Sequence, residues 1–431
     1  MKKRIFVLGL ITIALIAITF IFCLYNWPGS NRIFVLSILI LAVINLVVII
    51  RNKGKRFRLL ILGIGSIVLL IIGTGTVFKM MNWSNTIFWP MNESVSFIKT
   101  EIEPYNWVES KSSPLISDAQ EFEKQFVSKP FMRSLLIIHR DSIILEKYYN
   151  GCNKYYAFNI ASCTKSITSA LVGIAINKGL INSEEDLLKE YIPEYYKKQA
   201  EKNKEKITIK HLLTMQAGWT FGKQNGQNLS GMDWIKSSMN NPLDFEPGKA
   251  FSYNNIEPHI LLQIIDKKSE NGIIDFANTN LLTPLGISIT HWGKNQKGQY
   301  FGSGSIFMTS RDMARFGQLY LKNGHINGKQ VISKDWIEKS QIDYVTKNLM
   351  PQRTPAKGYG YLWWVDNYNE NIILQAAGSG GQHIFIIPQI DMIIVTTAEK
   401  NVPPRLTFEN SIQIIDIVNN FIYGLLDSQN R

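Results

Sequence analysis

Ser162-Cys163-Thr164-Lys165 places a hydroxyl and an amine three residues apart. On a helix that spacing puts both groups on one face, about one turn from each other. Neither reacts alone. A serine hydroxyl is a weak nucleophile, and a solvated lysine near its reference pKa of about 10.4 is protonated and takes no proton. Partial desolvation disfavours the ammonium, and the free amine can then act as the base that activates the serine. The chain holds a second Ser-x-x-Lys, Ser96-Phe97-Ile98-Lys99, so the tetrad needs company before it marks a site.

The surrounding pattern supplies the element that would hold the pair. From Ser162 to Lys178, apolar residues fall at Ile167, Ala170, Leu171, Ile174 and Ala175, the spacing of a helix with one buried face. Lys178-Gly179 adds a last-turn cation and a glycine stop. Ser162 is thus expected in the first turn, where unpaired N–H groups favour developing negative charge. Two other segments offer partners. The loop from Glu246 to Asn255 runs into a helix and presents Tyr253, with Asn255 two residues on. A tyrosine beside an ammonium can relay protons, since a nearby cation lowers its pKa. Ala376-Ala377-Gly378-Ser379-Gly380-Gly381 lets backbone approach a ligand closely and leaves N–H groups free to cradle an oxyanion.

Around these pieces the pattern is mixed. Glu121–Phe126 reads as part of a helix, and Ser134–His139 with Ser142–Tyr149 as a β-hairpin turning at Arg140-Asp141. From about Ser183 to Ser310 the pattern is helical with many loops. Short β-branched runs follow at Tyr361–Val365, Ile372–Gln375, His383–Ile387 and Met392–Thr397, and Phe408–Leu426 closes as a helix. Strands at both ends with helices between predict one α+β domain over residues 115–431, its sheet joining the first and last segments. Residues 82–114 read as a linker. No zinc-ligand spacing, His-Glu-x-x-His, phosphate loop or dinucleotide fingerprint occurs, so neither metal nor cofactor is expected.

The order Ser-x-x-Lys, Tyr-x-Asn about 90 residues later, then a Gly-rich third motif before the last strands resembles the serine β-lactamase and penicillin-binding-protein superfamily. It looks most like its class C β-lactamase-related branch of esterases, D-aminopeptidases and 6-aminohexanoate-dimer hydrolases. Further phrases carry the likeness: His211-Leu212-Leu213-Thr214-Met215-Gln216-Ala217-Gly218, Glu246-Pro247-Gly248, and Gly358-Tyr359-Gly360-Tyr361-Leu362-Trp363-Trp364. The resemblance implies an α-helical subdomain against a five-stranded antiparallel sheet flanked by helices. It implies Ser162 as the nucleophile of an acyl-enzyme and Lys165 as its base or electrostatic partner. Tyr253 would shuttle protons, Asn255 would orient Lys165 and substrate, and the third motif, with Gly378 and Ser379, would supply an oxyanion-hole N–H from Ser379 beside that of Ser162.

One departure bears on substrate. Superfamily members acting on β-lactams or D-alanyl peptides carry Lys or His at the first position of the third motif, then Thr or Ser, where this chain has Ala376-Ala377. An alanine cannot hold a substrate carboxylate. An ester or amide without an essential carboxylate is therefore the expected substrate. His383 could stand in for the missing cation, or be a surface histidine at a strand start. A penicillin-binding or carboxypeptidase activity, or a ligand sensor without turnover, is the alternative.

Charge and hydropathy divide the chain. Residues 1–92 carry ten Lys or Arg and no acidic residue, and the remainder is nearly neutral, so the overall +12 gives little support to a nucleic-acid partner. Three apolar stretches, Ile5–Tyr25, Ile33–Ile50 and Leu59–Phe78, have the length of transmembrane helices. The basic residues before the first and between the second and third predict a cytoplasmic N-terminus and an extracellular catalytic domain. The expected partners are then the lipid bilayer and a small-molecule or cell-wall substrate.

Overall fold

In Gln382–Ile387 and Met392–Ala398 apolar residues run almost without a break, which suits a strand covered on both faces. The computed structural model bears this out. Ile384, Ile386, Ile393 and Val395 belong to one core, while Phe385, Ile387, Met392 and Ile394 belong to a second. Residues 96–196, 202–220, 234–295, 297–345 and 354–429 are described, all within one unit spanning 89–431.

The strands are β1 (Phe97–Lys99), β2 (Val108–Glu109), β3 (Met132–His139), β4 (Ser142–Tyr148), β5 (Tyr156–Asn159), β6 (His291–Trp292) and β7 (Ile306–Thr309). After them come β8 (His325–Ile326), β9 (Lys329–Gln330), β10 (Gly358–Tyr359), β11 (Trp364–Tyr368), β12 (Asn371–Gly378), β13 (Gln382–Ile387) and β14 (Met392–Ala398). The main sheet has the order β10-β11-β12-β13-β14-β3-β4-β2, eight strands rather than five. It is antiparallel except at its edge, where β2 runs parallel to β4. As expected, β14 pairs with β3 and so joins the last strands to the first.

Helices Ile116–Val127 and Pro404–Gln429 cover one face, with Phe122 stacked on Phe421 at 4.1 Å. Helix Ser310–Leu321 covers the other. It lies so close that a Cβ on Gly317 would meet Ile384 and Ile393 side chains at 3.0 and 3.1 Å. Between β5 and β7 stands the helical part, built on helices Thr164–Asn177 and Ile256–Lys268. Both are buried along most of their length, so the expected single buried face of the first is replaced by burial on all sides. A second sheet, β1-β5-β7-β6, lies beside the start of the Thr164–Asn177 helix.

Two expectations need correction. Among the described residues no helix is long and apolar enough to cross a membrane. The longest, Pro404–Gln429, carries Arg405, Glu409, Asp416 and Asp427 and buries one face on the sheet. The three transmembrane helices, and with them the multi-pass placement with an extracellular domain, are therefore withdrawn. The stretches 5–25, 33–50 and 59–78 on which they rested lie outside the described residues. The segment read as a linker, from its first described residue, packs onto the domain through β1, β2 and Trp107, whose Nε1 donates to the Arg311 carbonyl at 3.0 Å.

Candidate active site

Ser162 does not open the α-helix directly. It sits in a 3₁₀ turn, Ala161–Cys163, that leads into Thr164–Asn177. The residue before it, Ala161, adopts a left-handed φ of +49°, a costly conformation for a residue with a Cβ. The strain is held in place from both sides. Asn159 Oδ1 accepts from the Ala161 N–H at 3.0 Å, and the Ile160 N–H donates to the Ile306 carbonyl on β7 at 2.9 Å. The second Ser-x-x-Lys has a different fate. It runs into β1 from the residue before it: Ser96 is buried and bonded to Glu399, while Lys99, at the end of the strand, is exposed.

Lys165 is 1 % exposed, and its Nζ lies 3.0 Å from Ser162 Oγ, 2.8 Å from Asn255 Oδ1 and 3.4 Å from the Ser303 carbonyl. Among the described residues no carboxylate is paired with it, and burial lowers its pKa to about 7, with Cys163 acting in the opposite sense. A lysine poised there offers a free amine near neutral pH. Its Nζ also lies 4.6 Å from the centre of the Tyr253 ring.

Tyr253 differs from the expectation in one respect. Burial raises the pKa of its phenol, and a hydrogen bond with Ser162 only partly opposes the rise. Burial thus favours the neutral phenol over the phenolate. Its ring stacks on Trp364 at 5.2 Å and meets Tyr359 edge-on at 6.0 Å. The turn that presents it is tied down by Asn254 and Glu257. Asn254 Oδ1 accepts from the Ile256 and Glu257 N–H groups, and its Nδ2 donates to Glu257 Oε1 at 2.9 Å. Burial pushes the Glu257 carboxyl well above its ordinary range.

The third motif forms the end of β12 and the turn into β13. Gly378 is required by contact, because a Cβ there would lie 2.4 Å from the Ile160 carbonyl and 3.2 Å from Ala161 Cβ. Its backbone thus abuts the strained turn that carries Ser162, and Ser379 follows, exposed. Gly378→Ala is expected to slow acylation of Ser162 by about tenfold or more while shifting Tm by only several degrees, since the displaced atoms are those of the turn itself. Equal acylation rates in the two proteins would contradict it. Ala376 is 1 % exposed within the larger core. His383 is neither a surface residue nor a substitute cation. It is fully buried, its Nδ1 bonds Gln375 at 3.1 Å and its Nε2 bonds Ser411 at 3.2 Å, and burial lowers its pKa to about 3.

The four motif side chains Ser162, Lys165, Tyr253 and Asn255 therefore converge, with Gly378 and Ser379 beside them. Sequence reasoning missed Ser303, Trp364 as the wall behind Tyr253, and His259, which supports Ser303. The Gly302-Ser303-Gly304 run was the only signal for the first, and a histidine inside an apolar helix the only one for the last. Among the described residues no group of His, Cys, Asp and Glu could hold a metal.

The chain resembles known proteins over this region. It is 23 % identical over 287 residues to a 6-aminohexanoate-dimer hydrolase of Paenarthrobacter ureafaciens, covering 61 % of this chain and 71 % of that protein. It is likewise 23 % identical over 300 residues to an uncharacterized protein of Alkalihalophilus pseudofirmus, covering 61 % and 82 %. Among solved structures, a putative 6-aminohexanoate-dimer hydrolase from Bacillus anthracis superposes with a TM-score of 0.60 at 22 % identity, over 81 % of this chain and 94 % of that one. The Beta-lactamase family model matches residues 129–419. Members with this fold are serine hydrolases. The chain belongs to the Beta-lactamase family, within the serine β-lactamase and penicillin-binding-protein superfamily.

Proposed function

We propose that this protein is a serine hydrolase that cleaves an ester or amide through an acyl-enzyme on Ser162. The observation that carries the reading is the buried Lys165 amine, poised near pH 7 and 3.0 Å from Ser162 Oγ. Lys165 takes the hydroxyl proton as Oγ adds to the acyl carbon. The bond from that carbon to the leaving oxygen or nitrogen then breaks, and the leaving group departs with the Tyr253 phenol proton. The Lys165 ammonium returns a proton to Tyr253, and water repeats the sequence in reverse to free the acid. The N–H groups of Ser162 and Ser379 are the proposed donors to the tetrahedral oxyanion, each worth about 3–4 kcal/mol in comparable sites.

The substrate is proposed to lack an essential carboxylate. Ala376 is apolar and His383 is buried and neutral, so neither offers the charged partner that a carboxylate would need.

The test is an activity panel on the purified full chain: short p-nitrophenyl esters, a D-amino-acid amide, the linear 6-aminohexanoate dimer and a chromogenic cephalosporin. Ser162→Ala serves as the blank, and intact-mass measurement detects the adduct. We expect an acyl adduct on Ser162 with an ester or amide. Cephalosporin turnover should be slower by about 10–100-fold, the worth of one lost charged hydrogen bond. No adduct from any substrate, or cephalosporin turnover as fast as the best ester, would refute the reading.

A further inference from the structure

The direction of the Lys165 lone pair is set in part by a group outside the three motifs. A neutral amine has two N–H donors and one lone pair. Of the three polar atoms around Nζ, Asn255 Oδ1 and the Ser303 carbonyl can only accept, whereas Ser162 Oγ can also donate. With the two N–H groups spent on the two pure acceptors, the lone pair is left facing the Ser162 hydroxyl. Asn255 alone would occupy one N–H and let the amine turn its second N–H toward Ser162, which is unproductive. The Ser303 carbonyl removes that freedom.

What holds Ser303 is His259. The Gly302–Ser303 backbone crosses helix Ile256–Lys268 so closely that a Cβ on Gly302 would lie 2.2 Å from the Pro258 carbonyl. The Gly302 N–H donates to His259 Nδ1 at 2.7 Å, and the Gly302 carbonyl accepts from Thr168 Oγ1 at 2.8 Å. Because Nδ1 accepts, the imidazole proton resides on Nε2, which donates to Ser303 Oγ at 3.1 Å. His259 is 1 % exposed, and acceptance at Nδ1 requires its neutral form.

We propose that His259 is a positioning residue for the base: by gripping Gly302 and Ser303 it sets the Ser303 carbonyl against Lys165 and aims the amine's lone pair at Ser162. The inference rests on the acyl-enzyme reading of Ser162 and Lys165 given above.

Three variants test it, read by the acylation rate with a p-nitrophenyl ester and by labelling with a fluorophosphonate. His259→Leu removes both contacts. His259→Asn places an amide oxygen where Nδ1 stood and keeps the Gly302 tie, whereas His259→Gln reaches toward the Nε2 position. His259→Leu is expected to lower kcat by about 10–100-fold with KM within about threefold of wild type, the size expected of a small misplacement of a reacting group. His259→Asn should recover to within about threefold of wild type, and His259→Gln should not. A purely structural role for His259 would not single out the asparagine. If His259→Leu fails to fold, the asparagine and glutamine variants decide: about fivefold or more in favour of asparagine supports the proposal, and equal rates overturn it. Unchanged kcat in His259→Leu, or a loss confined to KM, also overturns it. Wild type that is not labelled at Ser162 would remove the acyl-enzyme reading and this inference together. Labelled wild type with unaffected variants would remove this inference alone.

Discussion

Lys165→Met is expected to lower the acylation rate of Ser162 by about 10³–10⁵-fold at pH 8, nearly as much as Ser162→Ala, with the double variant no worse than the serine variant alone. Methionine roughly fills the buried volume but offers no basic lone pair, and residues that act as one unit lose activity together rather than additively. The pH profile carries the same point. Burial lowers the Lys165 pKa to about 7, and only the free amine accepts the serine proton. Wild-type kcat/KM should therefore fall about tenfold per pH unit below 7 and level off above it. In Lys165→Met the residual rate should lack this limb. Stopped-flow acylation between pH 5 and 9 measures both. A variant retaining more than about a tenth of the activity would rule out Lys165 as the base.

The same substitution should make the folded protein more stable at neutral pH. The folded-state pKa of Lys165 lies below its unfolded value of 10.5. Between about 7 and 10.5 the unfolded chain binds a proton that the folded chain does not, so this residue makes stability rise with pH across that window. At and below pH 7 the full cost applies, on the order of 5 kcal/mol for a shift of this size. Methionine removes it but leaves Asn255 Oδ1 and the Ser303 carbonyl without their donor, at about 1–3 kcal/mol in total. A net gain of about 2–4 kcal/mol at pH 6.5, shrinking as the pH approaches 10, is the expected result. Urea denaturation of both proteins at the two pH values tests it. A less stable variant at pH 6.5, or a gap that widens with pH, would show that the amine is not buried at a cost.

Much of this architecture was legible because it depends on neighbours in sequence. The hairpin at Arg140-Asp141 and the strands Gln382–Ile387 and Met392–Ala398 lie within a few residues of where hydrophobic period and turn chemistry put them. Other readings failed for physical reasons. His383 looked like a surface residue because a polar side chain at a strand start usually faces water. Helix Pro404–Gln429 instead brings Ser411 over it and seals it in. Residues 97–99 and 108–109 have little periodicity, and they are strands because existing sheet edges pair with them.

Ser162 and Lys165 illustrate where local information ends. Their order and three-residue spacing determined by themselves that a hydroxyl and an amine would share one helical face, since short-range backbone sterics govern that geometry. The same letters at Ser96 and Lys99 span the start of a strand, and there Ser96 bonds Glu399 instead. The tertiary structure alone decided that the Lys165 amine loses its charge near pH 7 and points its lone pair at the serine. Both properties depend on desolvation and on acceptors 90 and 138 residues away in sequence, which only folding brings within 3.4 Å.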